Sequence, residues 1–300
     1  MDTERLKGKN ILITGAAQGM GASNAEYFAA QGANVCLGDI NLDGVNDVAG
    51  RINAADNGKA IAVAMNVTKR ADHTAAVAAC CDAFGSINIM LNNAGVNKPK
   101  MFLDIDEDNW DLIMNINAKG MLFGMQEAAK QMIKQGPMED HPYKILNVGS
   151  IVSRTAFLDV VPYSCSKYCA LAMIIGGAKA LWEHKITVNG YGPGVVKTEL
   201  WEQLDKDLVE IGMFEKEGQS MDHLAQTMIL MKKLSTPDDV RGTAAFLCSD
   251  ESDYMTGQLL MIDGGMIAVR PSCTAARHCM ETGGENTFFP NGPERPGDPT

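Results

Sequence analysis

Residues 10–21 read NILITGAAQGMG: an apolar run ending at Thr14, a turn with glycine at 15, 19 and 21, and then a helix-forming stretch. A strand that feeds a glycine-rich turn and a helix N-terminus makes an anion site. The first helical N–H groups have no partner within the helix and point out of the turn. Glycine lets that backbone come close to a phosphate. The spacing is G-x-x-x-G-x-G and differs from the commoner G-x-G-x-x-G. Glycine turns also serve ordinary loops, so the flanking strand and helix carry the inference here. Gly15, Gln18, Gly19, Met20 and Gly21 are the expected cofactor contacts in this turn.

Working outward, six more apolar runs follow: Ala33–Asp39, Ala60–Val67, Ile87–Asn92, Tyr143–Val148, Ile186–Tyr191 and Leu259–Asp263. Helix-length segments separate them. Buried strands alternating with helices predict an α/β chain with a seven-stranded parallel sheet and helices on both faces. Right-handed crossovers make this a doubly wound, single-domain Rossmann fold over residues 1–270. Two regions break the alternation. Residues 197–234 form a long insertion rich in Met, Glu and Lys, read as a substrate cover or as a pair of packed helices. Residues 271–300 hold five of the eleven prolines and read as a flexible tail.

The bulk properties narrow the function. The 300 residues are 46% hydrophobic and 21% charged, ordinary for a chain that buries a core. A formal net charge of -11 disfavours nucleic acid and anionic membrane as partners. No apolar run is long enough to span a bilayer, and Met1–Asn10 is polar, without signal-peptide character. A cytoplasmic protein is expected. The eight cysteines match neither a disulfide framework nor a zinc site, and the five histidines have no ligand spacing, so no metal is expected.

Four further positions point to redox chemistry. Asp39 ends the second run, about 20 residues past the turn, where a carboxylate accepts hydrogen bonds from ribose hydroxyls and repels a 2′-phosphate. Its neighbours Ile40 and Asn41, and Ala17 and Gln18 in the turn, carry no positive charge. The cofactor expected is therefore NAD. The other role open to Asp39 is to cap the next helix. Tyr163 and Lys167 lie four apart, on one face of a helix. A nearby ammonium is expected to lower the tyrosine pKa and make it a usable base. Ser150, at the end of the strand before them, is placed to hydrogen-bond a substrate oxygen.

With these motifs in order, residues 6–268 resemble the short-chain dehydrogenase/reductase family. The resemblance implies that Asn93, Ala94 and Gly95, after the fourth strand, abut the cofactor. It implies that Asn66 and Val67 lie at the adenine, although the family usually carries Asp where this chain has Asn66. Pro193, Gly194, Val196 and Thr198 would touch the nicotinamide end. Asn117 matches the residue that holds a water in the family's proton relay and completes a tetrad with Ser150, Tyr163 and Lys167. Gly149 stands where a Ser is common.

The segments 186–201 and 253–258 are similar to the acetoin reductase/butanediol dehydrogenase branch, which shades into polyol dehydrogenases. A small vicinal diol or hydroxyketone is the first expectation, and a polyol or cyclic alcohol the second. Phe157, Leu158, Trp201 and Met213 are expected either to wall the pocket or to pack the cover on the core. Two rival readings are a ketoacyl reductase, which Asp39 disfavours, and a catalytically silent NAD-binding sensor, which the intact tetrad disfavours. By resemblance the family also implies a homotetramer, and the apolar run 170–175 agrees with a helix that packs on a neighbour.

Overall fold

The computed structural model describes residues 4–55 and 58–268; the tail expected at 271–300 lies outside them. Seven parallel strands form one sheet in the order β3-β2-β1-β4-β5-β6-β7. They are β1 Asn10–Thr14, β2 Asn34–Asp39, β3 Ala60–Ala64, β4 Ile89–Asn92, β5 Tyr143–Val148, β6 Ile186–Pro193 and β7 Leu259–Ile262. Order reverses between β1 and β4, and a doubly wound sheet opens its ligand crevice at such a switch point.

The strands are nearly continuous apolar runs because both faces are covered. Successive residues face opposite cores. Ile11 and Ile13 of β1 join one core with Val35, Leu37, Ile89 and Leu91. Leu12 joins the other with Cys36, Met90 and Ile145. The helices α1 Gly19–Ala30 and α2 Leu42–Ala54 cover the first face. α3 Arg70–Phe84 covers the second. There it is joined by α5 Met121–Gln135 and α6 Val161–Leu181, while the short α4 is Glu107–Ile113.

Strand bounds differ from expectation at five points: β2 begins at Asn34, β4 begins at Ile89, β7 ends at Ile262, and the third and sixth strands end elsewhere. The third strand stops at Ala64 because Asn66 starts a turn: its Oδ1 accepts from the Thr68 N–H at 3.0 Å and from the Thr68 hydroxyl at 2.8 Å. The sixth strand runs on to Pro193, paired through Pro193–Ile262 with β7. Residues 197–234 fold as α7 Glu199–Glu210 and α8 Gln219–Thr227, before α9 Pro237–Cys248. The two stems of this insertion are tied by Lys197 N–H to Ser235 O at 2.9 Å and Ser235 N–H to Val195 O at 3.1 Å. Among the described residues no helix is long and apolar enough to cross a membrane. Their six cysteines are free thiols.

Candidate active site

The glycine turn joins β1 to α1 at the switch point. It is held from behind by Thr14 and Asn93. Thr14 Oγ1 accepts from the N–H groups of Asn93 and Ala94, each at 3.1 Å. Asn93 Nδ2 donates to the carbonyls of Thr14 and Gly15, each at 3.0 Å. These bonds spend the polar groups behind the turn and leave the α1 N-terminus facing the crevice. A Cβ on Gly21 would stand 2.0 Å from the Gly15 carbonyl oxygen, so only glycine closes this turn. Neither Gln18 at the N-cap nor any acidic residue in the first turn caps α1, so its first donors are left for an anion.

One carboxylate approaches the cradle: Glu199 Oε2 would lie 3.3 Å from a Cβ on Gly19. Glu199 is exposed and can swing away. Asp39 ends β2 with Oδ2 accepting from the Ala17 N–H at 3.2 Å and Oδ1 from the Asn41 N–H at 2.9 Å. It does not cap the next helix. Asn41 does that, through Gly44 N–H to Asn41 Oδ1 at 3.0 Å.

Asn66 has its Oδ1 taken by Thr68, so toward a ligand it offers the amide nitrogen. Val67 packs against Gly120, and its carbonyl is bonded to His73 Nε2 at 2.9 Å.

Across the crevice, Ser150, Tyr163 and Lys167 line one cavity of about 300 Å³. Met20, Asn93, Gly95, Pro193, Gly194, Val196 and Thr198 share the lining. Thus the glycine turn and the Tyr–Lys helix face the same space. Ser150 caps a single 3-10 turn just after β5, and its N–H donates to Ser153 Oγ at 3.1 Å. Gly149 before it is crowded: a Cβ would stand 2.8 Å from Leu259 Cδ1, so a side chain there requires that flexible end to shift. Pro162 near the start of α6 is compatible with helix initiation, and Tyr163 follows within the first turn. Lys167 Nζ sits 5.6 Å from the Tyr163 ring centre and donates to the Val148 carbonyl at 2.8 Å.

The electrostatics overturn one expectation. Burial pushes the Tyr163 phenol up to about 12, against a hydrogen bond with Ser150 that favours ionisation. Burial brings Lys167 down to about 8. Lys167 therefore does not pull the Tyr163 pKa below its ordinary value in the protein alone. Both groups are stripped of water, and at this separation desolvation of the charged forms outweighs their attraction.

Asn117 lies in a widened π-helical turn, Met114–Gly120, between α4 and α5. Such turns recur at functional sites. Its side chain is fully committed: Nδ2 donates to Val96 O at 2.8 Å and Ser166 Oγ at 3.1 Å, and Oδ1 accepts from Val96 N–H at 2.8 Å. Gly95 keeps the space between Asn117 and Lys167 open. A Cβ there would lie 3.4 Å from Asn117 Oδ1 and 3.8 Å from Lys167 Nζ.

The insertion supplies the far wall. Phe157 and Trp201 pack with Tyr163, Val160, Leu204 and Leu208 in one cluster. Phe157, Leu158, Trp201 and Met213 all reach the cavity. The two expectations for these residues are therefore compatible, since Phe157 and Trp201 hold the insertion on the core while forming wall. Sequence reasoning missed Leu204, Leu208, Phe214 and Met228 on the same wall. The helical spacing of Leu204 and Leu208 on an otherwise charged α7 was the available signal.

It also missed a polar cluster remote from the site. His141 Nδ1 lies 2.7 Å from Asp253 Oδ2 and His141 Nε2 3.4 Å from Asp250 Oδ2. Lys144 and Lys9 bond those carboxylates at 2.6 Å each, so the cluster is a charge-balanced clasp.

Fold and site together define a nicotinamide-dependent oxidoreductase acting on alcohols or ketones, and the chain belongs to the short-chain dehydrogenase/reductase family. A family profile described as enoyl-(acyl carrier protein) reductase matches residues 15–267. Among similar proteins, a diacetyl reductase, (S)-acetoin forming, of Staphylococcus epidermidis is 34% identical over 86% of this chain and 98% of its own. A galactitol 2-dehydrogenase of Agrobacterium fabrum is 35% identical over 87% and 98%. A solved short-chain type dehydrogenase/reductase from Mycobacterium marinum superposes with a TM-score of 0.80 at 28% identity, covering 89% of this chain and 99% of that one.

Proposed function

We propose that this protein is an NAD(H)-dependent dehydrogenase that interconverts a secondary alcohol and its ketone. The observation that carries the reading is the meeting of Ser150, Tyr163 and Lys167 with the glycine turn on one cavity. The residues at the cradle fit a dinucleotide. Gly15, Gly19, Met20 and Gly21 would hold the pyrophosphate and Asp39 the adenosine ribose. Asn66 and Val67 would flank the adenine, with Asn93, Ala94 and Gly95 behind the nicotinamide ribose. Pro193, Gly194, Val196 and Thr198 would hold the carboxamide end. Asp39 without a basic neighbour supports NAD over NADP. A bound oxidised nicotinamide would supply the hydride acceptor for the carbinol carbon, and its positive charge would favour ionisation of Tyr163.

The chain's own residues manage the proton. In oxidation, Tyr163 Oη takes the hydroxyl proton as general base; in reduction it returns one as general acid. Ser150 Oγ holds the substrate oxygen as its charge changes. Lys167 stands behind Tyr163 as an ammonium source. Asn117 braces the Val96 turn beside the open space at Gly95, which suits a water leading to solvent. Residues 197–234 act as the substrate cover. The likeness to diacetyl reductase supports a vicinal diol or hydroxyketone, and the likeness to galactitol dehydrogenase supports a polyol as a second reading. Exposed Tyr168 and Ile175 on α6, with Trp182 just past its end, suit pairing of copies into a homotetramer in the cytoplasm.

The test is Tyr163→Phe, assayed by absorbance of the reduced nicotinamide. Turnover should fall roughly a hundredfold to ten-thousandfold while NAD binding, followed by fluorescence, persists. Near-normal turnover would remove Tyr163 from the role of base.

A further inference from the structure

We propose that the substrate is an uncharged hydroxyketone or vicinal diol with an aryl or alicyclic arm beside the reacting carbon, neither a four-carbon diol nor a polyol. This rests on the dehydrogenase reading above and concerns only what fills the cavity beyond Tyr163. The cavity of about 300 Å³ is shared: Met20, Pro193, Gly194 and Thr198 line the part assigned to the cofactor, and the substrate fills the remainder. The reacting end is polar, with Ser150, Tyr163 and Lys167. The opposite wall is apolar: Phe157, Leu204, Leu208, Phe214, Leu224 and Met228. Leu204 and Leu208 are buried in the cluster behind it, so this wall is set by packing and does not depend on a flexible loop.

Polar side chains that reach the lining from 157–160 and from α7 and α8 are few. They are Asp159, Ser220, His223 and the Trp201 indole. The Ser220 hydroxyl is spent on Asp205, while the buried, unpartnered Trp201 N–H and Asn97 Oδ1 leave one donor and one acceptor at the lining, fewer than the remaining hydroxyls of a sugar alcohol need. A sugar alcohol would lay its remaining hydroxyls on the apolar wall. Each hydroxyl stripped of water without a partner weakens binding by about tenfold. A four-carbon diol would avoid that loss but would leave the same wall against trapped water. Asp159 adds a constraint on charge. It is half-buried, has no ion pair among the described residues, and burial raises its carboxyl. An anionic substrate would meet that carboxylate in the cavity. An apolar ring on a neutral hydroxyketone satisfies all of these constraints.

The experiment compares kcat/KM of the full-length enzyme for three probes. They are diacetyl with NADH, the diacetyl analogue in which phenyl replaces one methyl (also with NADH), and galactitol with NAD. The phenyl analogue should exceed diacetyl by about tenfold or more, and galactitol should be the poorest of the three. Placing an amide on the apolar wall by Leu208→Gln should lower the ratio of phenyl analogue to diacetyl by about tenfold. A preference for diacetyl or galactitol, or a ratio unmoved by Leu208→Gln, would overturn this proposal and leave the dehydrogenase reading standing. Binding of NADH with no turnover of any of the three probes would instead overturn the dehydrogenase reading and this proposal with it.

Discussion

Replacing Lys167 with Met should silence the enzyme and also make it more stable at neutral pH. Lys167 is 3% exposed and titrates at about 8 where an ordinary lysine titrates at 10.5. Below both values the folded and unfolded chains each carry the proton, so the folded chain bears the whole burden of burying an ammonium. That displacement corresponds to about 3 kcal/mol. Methionine has similar length and no charge, but it abandons the bond from Nζ to the Val148 carbonyl, a loss of about 1 kcal/mol. The net gain is about 2 kcal/mol, or roughly 3 °C in a chain of this size. The sign of the pH dependence follows from a folded pKa lying below the unfolded one. As pH rises through about 8 the folded lysine sheds its proton and the burden shrinks; by 10.5 it has gone. Thermal melts of the variant and the parent at pH 7 and pH 9.5 should therefore differ most at pH 7. Tyr163→Phe is the control. Its phenol is raised to about 12 from an ordinary 10, so up to pH 9.5 it is mostly neutral whether folded or not, and its replacement should add little pH dependence in that window, about 0.2 kcal/mol. If Lys167→Met melts below its parent at pH 7, or its advantage does not shrink by pH 9.5, the argument that burial governs this pair is wrong.

Three further outcomes follow from the geometry. Asp39→Ala removes the charge that opposes a 2′-phosphate at the end of β2, so the ratio of kcat/KM with NADP to that with NAD should rise about tenfold; an unchanged ratio would remove Asp39 as the discriminator. Glu199→Gln takes away the carboxylate beside Gly19 and should tighten NADH binding about threefold at low salt, with the difference fading above 0.5 M salt, as read by fluorescence titration. Asp205 is buried and accepts from the Gly218 N–H and the Ser220 hydroxyl, joining α7 to α8. Asp205→Ala should speed protease cleavage between residues 211 and 218 and raise substrate KM several-fold, with little change in NADH affinity.

Much of this protein is local, and what is local was legible. The strand Ile11–Ile13, the glycine spacing after it and the four-residue interval from Tyr163 to Lys167 each act within a few turns of chain, where period and steric freedom dictate which face a residue takes. Asp39 at the end of β2 is of the same kind. From these the doubly wound sheet, its crevice and the Tyr–Lys face were foreseen, with strand bounds misplaced, Ala64 and Pro193 among them.

What tertiary structure alone decided was everything that depends on distant segments lying on one another. Desolvation, set by how completely the fold encloses Tyr163 and Lys167, reversed the expected direction of the tyrosine pKa. Thr68 claimed the acceptor of Asn66, and Leu259 and Ser153 crowd the space beside residue 149. The clasp joining Lys9, His141, Lys144, Asp250 and Asp253 draws on both ends of the described chain. Spacing along a chain sets direction over a few residues, whereas burial and pairing are set by contacts whose partners a single stretch of sequence does not contain.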